Sequence, residues 1–405
     1  MIVKNEEAFL ADCLRSVQGV VDEMVIVDTG STDRTIDIAR DFGARLIEIE
    51  WPNDFSKARN VGLDAVTTPW VLVMDADEEL VADDRDTLRR ALTNPTADAY
   101  NIRIISLTER AEDITESYVT RVLRSHPALR FSGSIHEQLF HAIVEAKMNL
   151  AQLDVRLTHK GYLPSVMEMR NKQVRNRLLL EQEVARHPND VYTLRQLSQT
   201  YFGSNRPDDA IKMVRRALKG ATLDNPLWVL CMMTYARALV QAEQPRKALR
   251  VVREGQLARP NYTDFWYFEG GVLFHLGDWE RAEASFQKCL ALGEAQGFLS
   301  TDTGIGGFKS LYRIAQCRLR QDDPKTALAY LLLAIKQQPQ YRSAWRAIME
   351  MHAGNPLSKV LETVQLSLSL DDIMRAVSAW PQRDPNEEGL LALARDKKAA
   401  SISPD

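Results

Sequence analysis

Asp75 and Asp77 end the apolar run "WVLVMDADEEL" (70–80), which continues into Glu78 and Glu79. Two carboxylates separated by one residue, at the carboxyl end of a buried strand, stand where open α/β sheets bind ligands. Such hard oxygen donors suit Mg²⁺ or Mn²⁺, cations that commonly keep phosphate oxygens as further ligands. A divalent cation and its diphosphate would make that charge density tolerable. The competing account is an acidic helix start, since "EELVADDRDTLRRAL" opens a helix nearby.

Those carboxylates need a scaffold, and the first 165 residues supply an alternation of strands and helices. "MIV" reads as the end of a first strand, and residues 7–17 put Phe9, Leu10, Cys13, Leu14 and Val17 on one helical face. "MVIVD" (24–28) and "ARLIEIEW" read as strands. "STDRTIDIARDFG" reads as a helix with Ser31 or Thr32 as N-cap and Gly43 at its stop. "DFSKARNVGLDAV" is a third helix and "WVLVMD" a fourth strand. This alternation implies an α/β domain built on a mostly parallel sheet with helices on both faces. "AYNIRIISL", "SYVTRVLR" and "DVRLTH" read as strands of an antiparallel or mixed extension.

From about residue 186 the pattern turns helical and repetitive. The turns "HPNDV", "RPNYTD" and "QPQYRS" share a Pro followed by a polar residue, and the second helices of the repeats carry a small anchor: Ala210, Ala248, Ala282 and Ala327. Their spacings of 38, 34 and 45 residues lie near the period of tetratricopeptide helix pairs. The longest gap holds "LGEAQGFLSTDTGIGGFK", read as an insertion. The expected domains are 1–185 (α/β), 186–350 (all-α repeats) and 351–405 (short helices near 358–380, then a disordered tail "KKAASISPD").

Composition narrows the function classes. The chain has 405 residues, 45% of them hydrophobic, and a formal net charge of −4, which gives no field for nucleic acid. No run of 18 apolar residues exists to span a membrane, and "MIVKNEEAFL" lacks a signal-peptide core. Cys13, Cys231, Cys289 and Cys317 stand far apart and read as reduced, buried thiols of a cytoplasmic protein. "IHEQLFH" places its second His one position too late for a zinc protease helix, and "GIGGFKS" lacks the Gly-Lys step of a phosphate loop.

"VDEMVIVDTGSTDRT", "WPNDFSKARNVGL" and "WVLVMDADEEL", together with "MIVKNEE", resemble the family 2 glycosyltransferases of the GT-A fold. The likeness is closest to a subgroup with tetratricopeptide repeats behind the catalytic domain, which includes peptide S-glycosyltransferases of glycocin pathways. The resemblance implies that Ile2, Val3, Asn5, Asp28, Thr29, Gly30 and the neighbouring Ser31 and Asp33 hold a nucleoside. Thr29 stands where many members carry Asp, and helix capping competes as the role of Ser31 and Asp33. Gly30 fits a turn with positive φ. Arg59, within "ARN", is implied to contact the diphosphate or base, against a surface ion pair with Asp54 or Glu50; Phe55 reads as core. Asp75, Ala76 and Asp77 match the D-x-D, with Asp77 the direct metal ligand and Asp75 on ribose or metal. His159 of "LTHKGY" is implied as a further metal ligand, and Glu137 of "FSGSIHEQLF" as general base; for each the alternative is a polar residue at a domain seam.

The family's chemistry implies a nucleotide-sugar donor, UDP-linked, and inverting transfer with Mg²⁺ or Mn²⁺. The repeats imply a groove for a peptide or protein acceptor, through Cys or Ser/Thr, and a homodimer is compatible with them. Two alternatives remain open at this point: a repeat scaffold with a degenerate transferase domain, and transfer to a saccharide or lipid-linked acceptor.

Overall fold

The computed structural model describes residues 1–106, 115–159, 166–225, 227–294, 303–380 and 383–402. The described chain divides into two compact units, 1–106 with 115–220 and 221–402.

In the first unit β1 (Ile2–Val3), β2 (Val25–Asp28) and β3 (Arg45–Glu48) form a parallel sheet in that order. Helices α1 (Leu10–Val17) and α2 (Thr35–Asp41) connect them. The expected apolar face of α1 is real: Leu10, Cys13, Leu14 and Val17 are buried. Capping of α2 differs from expectation. Arg34 is its N-cap residue and makes no side-chain cap, because Ser31 and Thr32 are drawn to the loop after β1. Asn5 N–H donates to Ser31 Oγ (3.0 Å) and Thr32 N–H to Asn5 Oδ1 (2.8 Å). Asp33 Oδ1 instead accepts from Thr35 N–H (3.0 Å).

Helix α3 (Phe55–Ala65) starts at a true cap, Asp54 Oδ1 accepting from Lys57 N–H at 3.1 Å. The strand expected over 70–75 is shorter. β4 (Trp70–Leu72) ends before the aspartates, and β5 (Glu78–Leu80) follows them. Both join a five-stranded sheet with β6 (Ala99–Ser106), β7 (Thr115–Arg124) and β8 (Leu150–His159), in the order β4-β7-β6-β8-β5. Here β4 pairs antiparallel with β7 and β5 antiparallel with β8, while β6 and β8 run parallel. The extension after residue 98 is therefore mixed, as expected, but it also takes β4. Its outer residues Trp70 and Val71 pair with Arg124 and Leu123. Helix α4 (Arg85–Thr93) buries Leu88 against this sheet, and α5 (Phe140–Glu145) buries Ile143.

Helices α6 (Val166–Arg186), α7 (Val191–Gly203) and α8 (Pro207–Gly220) complete the first unit. Compactness thus divides the chain after residue 220 and not at the expected 185. The reason is local: α7 reaches the 132–138 loop through Tyr192, and Arg216 donates to Pro188 O (2.7 Å).

The second unit holds the helix pairs α9 (Leu227–Gln241) with α10 (Pro245–Ala258), α11 (Thr263–His275) with α12 (Trp279–Leu292), and α13 (Phe308–Arg320) with α14 (Pro324–Gln337). Ala248, Ala282 and Ala327 are fully buried on the second helices, as is Ala210 on α8. Gly270 of α11 lies so close to Phe286 that a Cβ there would meet the ring at 2.7 Å. Small residues at these crossings let the helices approach, and the stack buries a continuous core. Beyond them come α15 (Arg342–Met351), α16 (Leu357–Val364), α17 (Leu370–Ser378) and α18 (Pro385–Ile402).

The tail expected to be disordered from Lys397 is helical through residue 402. Leu390, Leu391 and Ala394 anchor α18 in the core, and Lys397 and Lys398 bond to Gln365 and Asp371. Glu387, fully buried, accepts from Arg342. Residues 295–302 of the expected insertion and 403–405 of the tail lie outside the described residues.

Candidate active site

Where β1 and β2 end, the chain turns tightly. Asp28 Oδ1 accepts from Gly30 N–H (2.8 Å) and Ser31 N–H (2.9 Å). Gly30 has φ +101°, the left-handed backbone that glycine tolerates. Thr29 is buried and donates from Oγ1 to Val3 O at 3.1 Å. Ile2, Val3 and Thr29 line a cleft of about 700 Å³, whereas Asn5, Asp28 and Gly30 shape the turn behind it.

The same cleft is lined by Arg59, Asp75, Ala76, Asp77, His136, Glu137 and His159. Thus nine of the expected residues, drawn from segments more than a hundred residues apart, meet in one place. The turn between β4 and β5 carries the aspartates, closed by Glu78 N–H donating to Asp75 O at 3.1 Å. Asp77 faces β8, and its Oδ2 lies 3.1 Å from His159 Nε2. Both side chains are about one-quarter exposed. The hydrogen bond with Asp77 raises the His159 pKa, outweighing partial burial.

Asp75 is engaged differently. Arg59 Nη2 donates to its Oδ1 and Arg121 Nη2 to its Oδ2, each at 2.7 Å. Burial alone would raise the Asp75 pKa, but Arg121 and then Arg59 hold it far below the usual carboxylate range. Arg121 also donates to Glu78 Oε1 at 2.7 Å. Glu78 is 2% exposed, and burial keeps its pKa above the ordinary value despite Arg121. The dense acid cluster of the sequence is therefore partly neutralised by two guanidinium groups.

Arg59 pairs with neither Asp54 nor Glu50. Its Nε donates to Glu137 Oε1, so one guanidinium joins Glu137 to Asp75. Phe131 packs against that guanidinium at 5.6 Å. Glu137 sits in a loop closed by the Ser132–Gln138 bridge, beside His136, whose backbone is left-handed (φ 53°) and whose pKa burial lowers. Gln138 Nε2 donates to the hydroxyl of Tyr192 on α7 at 2.8 Å.

Sequence reasoning missed Arg121, Arg175 and Tyr192, all of which line the cleft or hold its walls. Arg121 did carry a signal, a charge within the apolar strand "YVTRVL". Phe55, expected in the core, is half-buried and lines the cleft, edge-on to Trp51 with ring centres 4.8 Å apart.

Asp77 and His159 present an oxygen and a nitrogen donor to the same space, a set that fits Mn²⁺ or Mg²⁺ completed by phosphate oxygens. Among the described residues no group of three or more His, Cys, Asp or Glu side chains converges closely enough to hold a metal unaided. All four cysteines are buried and outside any disulfide, and no described helix is long and apolar enough to cross a membrane.

Residues 1–134 match the family model "Glycosyl transferase family 2", and residues 234–296 match a tetratricopeptide repeat model. A TPR repeat-containing protein of Synechococcus elongatus is 35% identical over 225 residues, 54% of this chain and 55% of that protein. The SPbeta prophage-derived glycosyltransferase SunS of Bacillus subtilis is 26% identical over 220 residues, 54% of this chain and 52% of SunS. An uncharacterized glycosyltransferase of Rickettsia typhi is 34% identical over 108 residues, 26% of this chain and 37% of that protein. The chain spans about half the length of the first two relatives, 55% and 52%. The resemblance read from the motifs is borne out: the chain carries a glycosyltransferase family 2 domain at its N-terminus and tetratricopeptide repeats towards its C-terminus.

Proposed function

We propose that the protein is a metal-dependent inverting glycosyltransferase that moves a sugar from a UDP-sugar to a Cys or Ser/Thr side chain of a peptide or protein. The observation that carries this reading is one cleft in which Asp77, His159 and Glu137 stand beside Ile2, Val3 and Thr29. Asp77 and His159 would hold Mg²⁺ or Mn²⁺, which neutralises charge developing on the departing diphosphate.

The chain's own residues do the rest. The turn at Asp28–Ser31 presents the ends of β1 and β2 to the nucleoside. Arg59 fixes Glu137 through Oε1, which leaves Oε2 as the oxygen for an acceptor proton. As the acceptor sulfur or oxygen bonds to the anomeric carbon, its proton passes to Glu137. The bond from that carbon to the diphosphate oxygen breaks, and the electron pair leaves with the diphosphate. Attack opposite the leaving group inverts the anomeric centre. The α/β portion, 1–185, carries this chemistry, and the repeats, 186–350, bind the acceptor, with homodimer formation a further role for them. Four cysteines outside any disulfide support a cytoplasmic setting.

Incubation with UDP-sugars, Mn²⁺ and Cys- or Ser-containing peptides, read by mass spectrometry, tests the reading. Asp77→Asn should lower transfer by about 100-fold or more without lowering the melting temperature. Near-normal turnover by that variant would remove the metal-assisted mechanism.

A further inference from the structure

The motif-based expectation gives the donor's diphosphate to Arg59. In the folded chain Arg59 has one donor on Asp75, another on Glu137 and a side chain only 9% exposed; its Nη1 has no partner among the described residues but is itself buried. Arg121 is committed likewise to Asp75 and Glu78. Releasing Arg59 to a phosphate would strand Glu137, and releasing Arg121 would strand Glu78, while Asp75 would keep the other guanidinium. The lysines and arginines lining the cleft are Lys4, Arg59, Arg121 and Arg175. Among the described residues, Lys4 and Arg175 form no ion pair.

Of these two, Arg175 is held in place. Its guanidinium lies over the Phe55 ring, 5.2 Å from the centroid. Its Nε and Nη2 both donate to Asn176 Oδ1, at 3.2 and 3.1 Å. That arrangement occupies one edge of the planar fork and, among the described residues, leaves Nη1 and the outer Nη2–H without a partner. A fork edge of this kind matches two phosphate oxygens, and a guanidinium already ordered on an aromatic face loses less freedom on binding. Both side chains are exposed, and among the described residues Lys4 has no comparable support.

Resting on the donor class proposed above, we propose that Arg175 of α6, and not Arg59, supplies the guanidinium that receives the donor's diphosphate. Arg59 and Arg121 are then positioning residues for the carboxylates. The consequence for selectivity is that diphosphate recognition comes from a helix outside the stretch that matches the family model, 1–134.

Titration calorimetry with the full chain and Mn²⁺ tests this, using UDP and uridine as paired probes. Arg175→Gln should weaken UDP on the order of 10-fold and leave uridine unchanged, since only UDP presents the diphosphate. Arg175→Lys should recover part of the loss, because it keeps the charge and loses the fork. Equal losses for UDP and uridine, or UDP affinity within twofold of the unaltered chain, would overturn the assignment while leaving the donor class intact. Failure of the unaltered chain to bind UDP would overturn the donor class and this inference with it.

Discussion

Replacing Arg121 by Met tests whether guanidinium groups make the acid-rich turn between β4 and β5 foldable. Arg121 is 12% exposed and bonds to Asp75 and Glu78, both at 2.7 Å. Asp75 is 35% exposed and keeps Arg59, so water and a second cation cover most of its loss. Glu78 is 2% exposed and, once Arg121 is gone, keeps the bond from Asp75 N–H at 2.9 Å. Removing one member of a buried pair costs about 3–5 kcal/mol, and the covered share at Asp75 puts Arg121→Met near the low end, about 3 kcal/mol. Every 1.4 kcal/mol is about tenfold, so local opening should become roughly 100-fold more frequent. Hydrogen exchange read by mass spectrometry over 70–80 and 117–124 measures that opening directly and is not blurred by the second unit. Pairing the change with Glu78→Gln removes the stranded charge and should restore most of the protection. If Arg121→Met exchanges as slowly as the unaltered chain, or if Glu78→Gln fails to rescue it, the compensation argument is wrong.

Glu137→Gln should lower turnover by about 10²–10⁴-fold, and a variant within tenfold would remove Glu137 as base; single-turnover transfer assays decide it. Asp84 accepts three hydrogen bonds from Arg156, each 2.8 Å, and these hold its pKa below the ordinary value. Its contribution to stability is therefore present above the unfolded value of about 4 and lost as pH falls through the lower folded one. Melting temperatures below pH about 4 should decline less steeply in Asp84→Asn; an unchanged slope would remove Asp84 from the acid response. Gly270→Ala should destabilise the repeat unit by about 1–2 kcal/mol in thermal unfolding, because displacing the buried Phe286 ring outweighs the roughly 1 kcal/mol helix-propensity gain.

Periodicity made much of this molecule legible. The apolar face of α1 and the alanine anchors are local patterns, and all the residues they named are buried except Phe9, which is half-buried at the N-cap of α1. The D-x-D and the Gly30 turn were legible because glycine conformation and carboxylate spacing are properties of a few adjacent residues. The partnership of Arg121 with Asp75 spans 46 positions, and no local rule encodes it. The same holds for Arg59 with Glu137, 78 positions apart. Strand pairing failed for a related reason: "WVLVMD" marks a strand but not which strand lies beside it, and β4 is half-buried, with full burial beginning only at Val73 and Met74. Neither Ser31 nor Thr32 caps α2 because Asn5, distant in sequence, took them, and Asp33 accepts from Thr35 N–H in their place.

The Arg59 side chain has a hand on Asp75 and another on Glu137. A change made at one end alters the electrostatic setting of the other. Kinetic losses from Asp75 and Glu137 variants should therefore fail to multiply when combined, and a double-mutant cycle there should return a coupling energy and not two independent scores. In evolutionary terms the three residues form a single heritable part: drift at any one position raises the penalty, or opens the route, for drift at the other two.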